Sequence, residues 1–288
     1  MRILITGAFG QLGSAFSRHL SEDFDIIRTG RSIPHGKNGI ILDVLNQIYF
    51  KEVIQATEPD LVINLAAMTP VDGCELNPNL AKEINIASVQ HLCDSFDGKI
   101  IHLSTDYVFD GENGPYSEDD PVCPLSVYGE TKLESERILL NHNPNHLVIR
   151  GNVIYDDSET TKASFLNWVV NSLKEKQEIQ VVNDQVNNPT WTKSMADIIA
   201  LCIEKDLSGI VHWGDADHLN RYDFAIKIAE KYVLDSKLIK AITTEELNQA
   251  APRPLKSGLK SDKLVQALNV VPPSIDECLN AILERNAE

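Results

Sequence analysis

The chain has 288 residues, 43% of them hydrophobic, which is enough to build one large α/β domain or a large and a small one. Its 42 acidic residues against 26 basic ones leave a net charge of −16, which argues against non-specific nucleic-acid binding and against attraction to an anionic membrane. Cys74, Cys93, Cys123, Cys202 and Cys278 form no CxxC pair and the histidines no HExxH or HxH pattern, so neither a disulfide framework nor a metal site is expected. No apolar run approaches membrane-span length, and the one after Met1 is cut off by Gly7 and Gly10, too early for a signal peptide, so a cytoplasmic location is expected.

An apolar strand over 1–6 leads into Gly7-Ala8-Phe9-Gly10-Gln11-Leu12-Gly13 and then a helical pattern running to Leu20. Glycines at this spacing between a strand and a helix suit a dinucleotide: they let the backbone approach a pyrophosphate, and the helix N-terminus offers it free N–H groups. A tight turn that holds no ligand is the plainer alternative. A second strand over 25–28 is followed by Arg31 and Ser32. An acidic residue at this strand end would bind the ribose 2′-hydroxyl of NADH, whereas an arginine accommodates the 2′-phosphate of NADPH. Arg31 and Ser32 therefore favour NADPH, with NADH as the alternative and a merely solvated Arg31 as the bland one.

A strand over 39–42 leads into Asp43, a helix covers 47–56, and the run 61–65 reads as a buried strand. Strands alternating with helices at this spacing predict an α/β chain built on a Rossmann-type doubly wound parallel sheet. Small residues follow in Ala66-Ala67-Met68-Thr69-Pro70-Val71-Asp72; they suit a ligand lying across the carboxyl end of the strand, although close helix packing asks for the same residues. A helix over 78–96 precedes a strand over 99–103 that ends in Ser104-Thr105-Asp106-Tyr107-Val108-Phe109-Asp110-Gly111. This delivers Thr105 to the sheet edge that carries the glycine loop, as a hydrogen-bonding partner for a substrate oxygen or as a cap of the next turn.

Tyr128 and Lys132 then open a helix, four residues apart and so on one face. A free phenol titrates near pH 10, and bringing it towards 7 takes about 4 kcal/mol of preferential phenolate stabilisation, which one close cation in a poorly solvated site supplies. The bland reading is an ordinary amphipathic helix with a chance pair.

The TGxxGxxG turn over 6–13, the hydroxyl at the end of a later strand and the YxxxK over 128–132 together resemble the extended short-chain dehydrogenase/reductase family. Within it, Ala66 to Asp72, Ser104 to Gly111, Pro124 to Lys132 and Asp184-Gln185-Val186-Asn187-Asn188-Pro189-Thr190 are similar to the dTDP-4-dehydrorhamnose reductase branch, and the likeness runs across nearly the whole chain. The resemblance implies an NADPH-dependent reductase of a 4-keto sugar nucleotide, working in dTDP-rhamnose biosynthesis. Tyr128 would be the proton donor, Lys132 would lower its pKa and hold the nicotinamide ribose, and Thr105 would orient the carbonyl. Cofactor contacts are implied at Gly7, Phe9, Gly10, Gln11, Leu12, Arg31, Ser32, Asp43, Val44, Ala66 and Ala67, besides Tyr128 and Lys132. A sugar pocket is implied at Thr69, Val71, Asp106, Tyr107, Val153 and Arg253. The branch usually carries a tryptophan where Val153 stands, and valine lacks its flat surface, a loss of about 1 to 2 kcal/mol of aromatic contact. The family's dehydratases carry a glutamate after the Thr-Asp pair, and here that residue is Tyr107.

The second half reads as strands over 146–150, 179–182 and 209–213 and helices over 165–174, 194–204, 221–232, 262–267 and 275–283. Residues 1–155 are expected to form the NAD(P)-binding domain, with the chain returning to it around 192–213, and 156–288 to form mainly a smaller substrate-binding α/β domain. Asn187 stands where the motif usually has glycine, and asparagine tolerates the left-handed backbone such a position can demand. Arg253 has two readings, a partner for a substrate diphosphate or a solvated loop charge. The stretch from Val211 through Asn220-Arg221-Tyr222 also resembles the regulatory β subunit of methionine adenosyltransferase, so a non-catalytic NADP-binding subunit is the alternative. A scaffold has no physical need of Thr105, Tyr128 and Lys132 together, which favours an enzyme. The expected partner is a small-molecule nucleotide sugar, and a homodimer is compatible with the resemblance.

Overall fold

Six strands, β1 (Arg2–Thr6), β2 (Asp25–Gly30), β3 (Ile40–Ile41), β4 (Leu61–Asn64), β5 (Lys99–Thr105) and β6 (Leu147–Gly151), join the later strand Gly209–Trp213 in one sheet. The order is Gly209–Trp213, β6, β5, β4, β1, β2, β3, and every neighbouring pair is parallel. The computed structural model describes residues 1–20, 23–157 and 164–287. Successive side chains of a strand point to opposite faces, yet here both faces are buried. Ile3, Ile5, Ile63, Ile101 and Ile149 pack with Phe16, Met195 and Ile199 on one side, and Leu4, Val62, Ile100 and Val148 with Val53 and Leu92 on the other. A sheet covered by helices on both faces needs such unbroken apolar runs. The edge strand β3 is shorter than its sequence suggests, because only β2 pairs with it.

Strand order reverses between β1 and β4, and that switch point opens a crevice at the carboxyl ends of the strands. At it lie the starts of α1 (Gln11–His19) and of the helix Val127–His142, while the helix Thr192–Glu204 packs beside α1 in the core. A second apolar cluster, with Leu166, Val169, Val181, Phe224, Ile228 and Leu279, is built by the helices Phe165–Lys174, Arg221–Lys231 and Ile275–Ala287 over the parallel strand pair Ile179–Val182 and Ile239–Ile242.

The helix expected over 78–96 is present as one helical run, Pro78–Lys82 and Ser88–Ser95 joined by a π-helical turn, Glu83–Ala87, and a separate short helix, Val71–Leu76, precedes it. The turn carries Asn85, whose buried amide accepts from Met68 N at 2.7 Å and donates to Met68 O at 3.2 Å and Thr131 Oγ1 at 3.0 Å. These tertiary bonds override local helix periodicity. One expectation fails: Asn187 is not left-handed, and lies in a short strand, Val186–Asn187, paired antiparallel with Leu219–Asn220. The partner strand supplies the conformation that was expected to come from a permissive residue.

Candidate active site

A cavity of about 900 Å³ occupies the crevice. Strand register explains what meets there: Thr6 pairs with Asn64, Asn64 with His102, and Thr105 with Gly151, so the segments leaving β1, β4, β5 and β6 emerge side by side. Of the residues marked out by sequence, Gly7, Gly10, Gln11, Leu12, Arg31, Asp43, Val44, Ala66, Ala67, Thr69, Val71, Thr105, Tyr107, Tyr128 and Val153 line it.

Phe9, Ser32, Asp106, Lys132 and Arg253 do not. Phe9 lies over Gly39, where a Cβ would stand 2.6 Å from its ring, so it covers the β2–β3 edge. Ser32 is exposed beyond Arg31. Asp106 is turned inward, accepting from Thr105 Oγ1 at 3.0 Å and from Ser257 Oγ. Burial raises its carboxyl to about 6, against the lowering pull of those two hydroxyls and of the Arg221 charge. Arg253 is locked onto Asp72, with 3.0 Å between Nη2 and Oδ1, and also donates to Ala251 O.

At the cofactor end, Gly7 has φ +65° and a Cβ there would stand 3.0 Å from Ala66 N, so the loop needs glycine both for its backbone and for its approach to the β4 end. No side chain caps α1 at Gly10, which leaves its first-turn N–H groups turned to the cavity. Gln11 Oε1 and Asn152 Oδ1 are buried without a hydrogen-bond partner among the described residues, and both residues line the cavity. An uncapped helix start, a close-set glycine turn and unsatisfied amide oxygens fit a dinucleotide carrying phosphates and hydrogen-bond donors. Arg31 stands at the end of β2 on the same wall.

At the other end, Ser126 caps the helix Val127–His142 by accepting from Gly129 N at 3.3 Å. A Cβ on Gly129 would meet Tyr107 O at 2.2 Å, so glycine lets the helix press against the Thr105–Tyr107 segment and bring Tyr128 to Thr105. The Tyr107 and Tyr128 rings meet edge to face, 5.6 Å between centroids. Burial raises the Tyr128 phenol well above its ordinary value; the Thr105 hydroxyl opposes the shift, while Asp106 and Tyr107 add to it. Lys132 is not among the groups that lower it. Its Nζ donates to Leu103 O at 2.6 Å and stands 2.9 Å from His102 Nε2. Burial thus keeps the phenol protonated in this arrangement. Burial pushes Lys132 down to about 8, with the Glu136 carboxylate pulling the other way.

Behind Lys132 a buried polar row crosses the sheet. Asn64 Nδ2 lies 3.0 Å from His102 Nδ1, Thr6 Oγ1 donates to Asn64 Oδ1 at 2.6 Å, and Ala66 N donates to Thr6 Oγ1 at 3.2 Å. Glu136, one turn further along the helix, takes Arg150 at both oxygens, from Nε at 3.0 Å and from Nη2 at 2.7 Å, and also accepts from Ser104 Oγ.

A family model described as "RmlD substrate binding domain" matches residues 1–288. The chain belongs to this family. It is 33% identical to a dTDP-4-dehydrorhamnose reductase of Aggregatibacter actinomycetemcomitans, over 98% of each chain. It is 31% identical to methionine adenosyltransferase 2 subunit beta of Xenopus tropicalis, over 91% of this chain and 81% of that one. A crystal structure of the Bacillus anthracis dTDP-4-dehydrorhamnose reductase in complex with NADP superposes with a TM-score of 0.90 at 28% identity, covering 99% of both chains.

Of the cavity residues of this RmlD-family chain that the sequence did not mark as site residues, Asn152, Phe165 and Arg221 bring polar or aromatic groups. Asn152 sits directly before the noted Val153 and was legible as part of that strand end. Phe165 and Arg221 open the helices Phe165–Lys174 and Arg221–Lys231 of the second apolar unit, and neither falls in the reductase motifs. Among the described residues no group of three His, Cys, Asp or Glu side chains is arranged to hold a metal ion, and no helix is long and apolar enough to cross a membrane.

Proposed function

We propose that this RmlD-family chain is an NADPH-dependent reductase of a 4-keto nucleotide sugar, of the dTDP-4-dehydrorhamnose class. The observation that carries the reading is that Thr105 and Tyr128 face the same cavity as the glycine loop, so an acid and a dinucleotide cradle share one space. When bound, the reduced nicotinamide supplies the hydride delivered to the keto carbon. Gly7, Gly10, Gln11 and Leu12 hold the pyrophosphate on the helix start, Arg31 takes the 2′-phosphate, and Asp43, Val44, Ala66 and Ala67 form the wall beside the adenosine and the nicotinamide. Thr105 hydrogen-bonds the keto oxygen and Tyr128 gives it a proton as negative charge develops. Lys132 acts from below as a cation held by Leu103 O. Thr69, Val71, Tyr107 and Val153 line the sugar side, and 1–155 with the return at 192–213 serves the cofactor while 156–288 mainly serves the substrate.

The test is NADPH oxidation by the purified chain with dTDP-4-dehydrorhamnose and related keto sugars; absence of turnover with every one of them sinks the proposal. Arg31→Ala is expected to raise the KM for NADPH roughly tenfold or more, the weight of one charge-assisted contact, and to leave that for NADH nearly unchanged. Equal effects on both cofactors would refute the 2′-phosphate role.

The likeness to methionine adenosyltransferase 2 subunit beta, with Val153 where an aromatic stacking surface is usual, favours one other reading, a non-catalytic NADP-binding subunit. Recovery of a stoichiometric enzyme partner from native lysate together with absent turnover would support it.

A further inference from the structure

We propose that Arg221 is the specificity residue that grips an anionic group of the substrate, either the diphosphate of a nucleotide sugar or a carboxylate on the sugar itself. This rests on the reductase reading and extends it. Sequence alone pointed to Arg253, but that guanidinium is only 7% exposed and already bound to Asp72 at 3.0 Å. Its charge is spoken for, and it does not line the cavity.

Arg221 is placed differently. It is the first residue of the helix Arg221–Lys231 and lines the cavity opposite the glycine loop. Its guanidinium lies over the Phe165 ring, 5.4 Å from the centroid. A cation–π contact of this kind holds the guanidinium near the ring without using its N–H donors, and a guanidinium can meet two oxygens at once. Among the described residues no carboxylate lies within ion-pair distance of it; the carboxylate whose charge reaches it is Asp106, whose oxygens are engaged by Thr105 and Ser257. Burial disfavours its charged form. A half-buried guanidinium without an ion pair is less favourable in the free protein than one that has an anion beside it.

Its position also sets what it reads. Arg221, Tyr107 and Tyr128 line one cavity, and the Tyr107 ring meets that of Tyr128 edge to face, so a group bound at Arg221 shares the space of the acid. That placement suits a substituent on the reacting sugar or the first phosphate beyond it. Where the family's usual aromatic surface is replaced by Val153, a charged contact offers a different means of holding the sugar in register.

The test compares wild type, Arg221→Gln, Arg221→Lys and Arg253→Gln as full chains, with NADPH affinity as the control for folding. Arg221→Gln should raise the KM for the keto nucleotide sugar roughly ten- to a hundredfold with little change in kcat, Arg221→Lys should recover part of it, and Arg253→Gln should change it less. Titration with dTDP and UDP separates the sources. An equal loss of affinity for these nucleotides assigns Arg221 to the diphosphate, and unchanged nucleotide affinity with a raised KM assigns it to the sugar. Unchanged KM and unchanged nucleotide affinity in Arg221→Gln would overturn the proposal. Nucleotide binding is measured without turnover, so a failed reductase assay and a failed Arg221 assignment give different results.

Discussion

Tyr128→Phe is expected to lower kcat/KM for keto-sugar reduction by about 10²- to 10⁴-fold, the usual weight of a positioned general acid, while NADPH binding and melting temperature are retained. The phenylalanine keeps the ring that meets Tyr107 edge to face at 5.6 Å and loses only the proton donor. Wild-type activity in the purified variant would remove Tyr128 from the chemistry. The pH profile of the wild type adds a second readout. Burial holds the Tyr128 phenol protonated through the neutral range, whereas Lys132 loses its proton as pH rises through about 8. Reduction should therefore be high below pH 8 and fall above it, and Lys132→Met should erase that limb. The same lowered lysine pKa acts on stability: between about 8 and the ordinary lysine value the unfolded chain binds more protons than the folded one, so this group's contribution to stability rises with pH across that window.

Glu136→Ala should be the most destabilising single change near the site, at about 3 to 5 kcal/mol, because it leaves the Arg150 guanidinium buried without a counter-ion. Both side chains of the pair are almost completely buried, 3% and 2% exposed, and the carboxylate also accepts from Ser104. In a chain of this size the melting temperature would fall by roughly 10 °C. Arg150→Met together with Glu136→Leu should recover most of that loss, since a buried ion pair is often replaceable by apolar residues of similar volume. A single variant as stable as wild type would mean that water reaches Arg150. The carboxylate also supports the Lys132 cation, so Glu136→Ala should shift the alkaline limb to lower pH.

Features set by short-range spacing were legible before the fold was known. The glycine turn, the strand-end Thr105 and the Tyr128 helix each announce themselves within a few residues, and register along a parallel sheet brings them to one edge. What stayed hidden depends on partners far away in the chain. Nothing local says that Arg253 is neutralised by Asp72, or that Arg221 is left without such a partner and turned over Phe165. Spacing placed Lys132 on the face of Tyr128, but the carbonyl of Leu103 and the ring of His102 decide where its ammonium rests, and they belong to another strand. The π-helical turn in the helix over 78–96 has the same origin, in the bonding of Asn85 to Met68 and Thr131.

That π-helical turn sets a limit on how far the chain can be made more regular. A π turn spends one residue more than an α-helix needs, and removing it would rotate everything beyond by about 100°. Helix geometry would improve, but Asn85 would swing away from Met68 and Thr131, freeing the substrate-side loop from the helix that carries Tyr128. The irregular form is thus the one that keeps Asn85 bonded to both walls of the cavity.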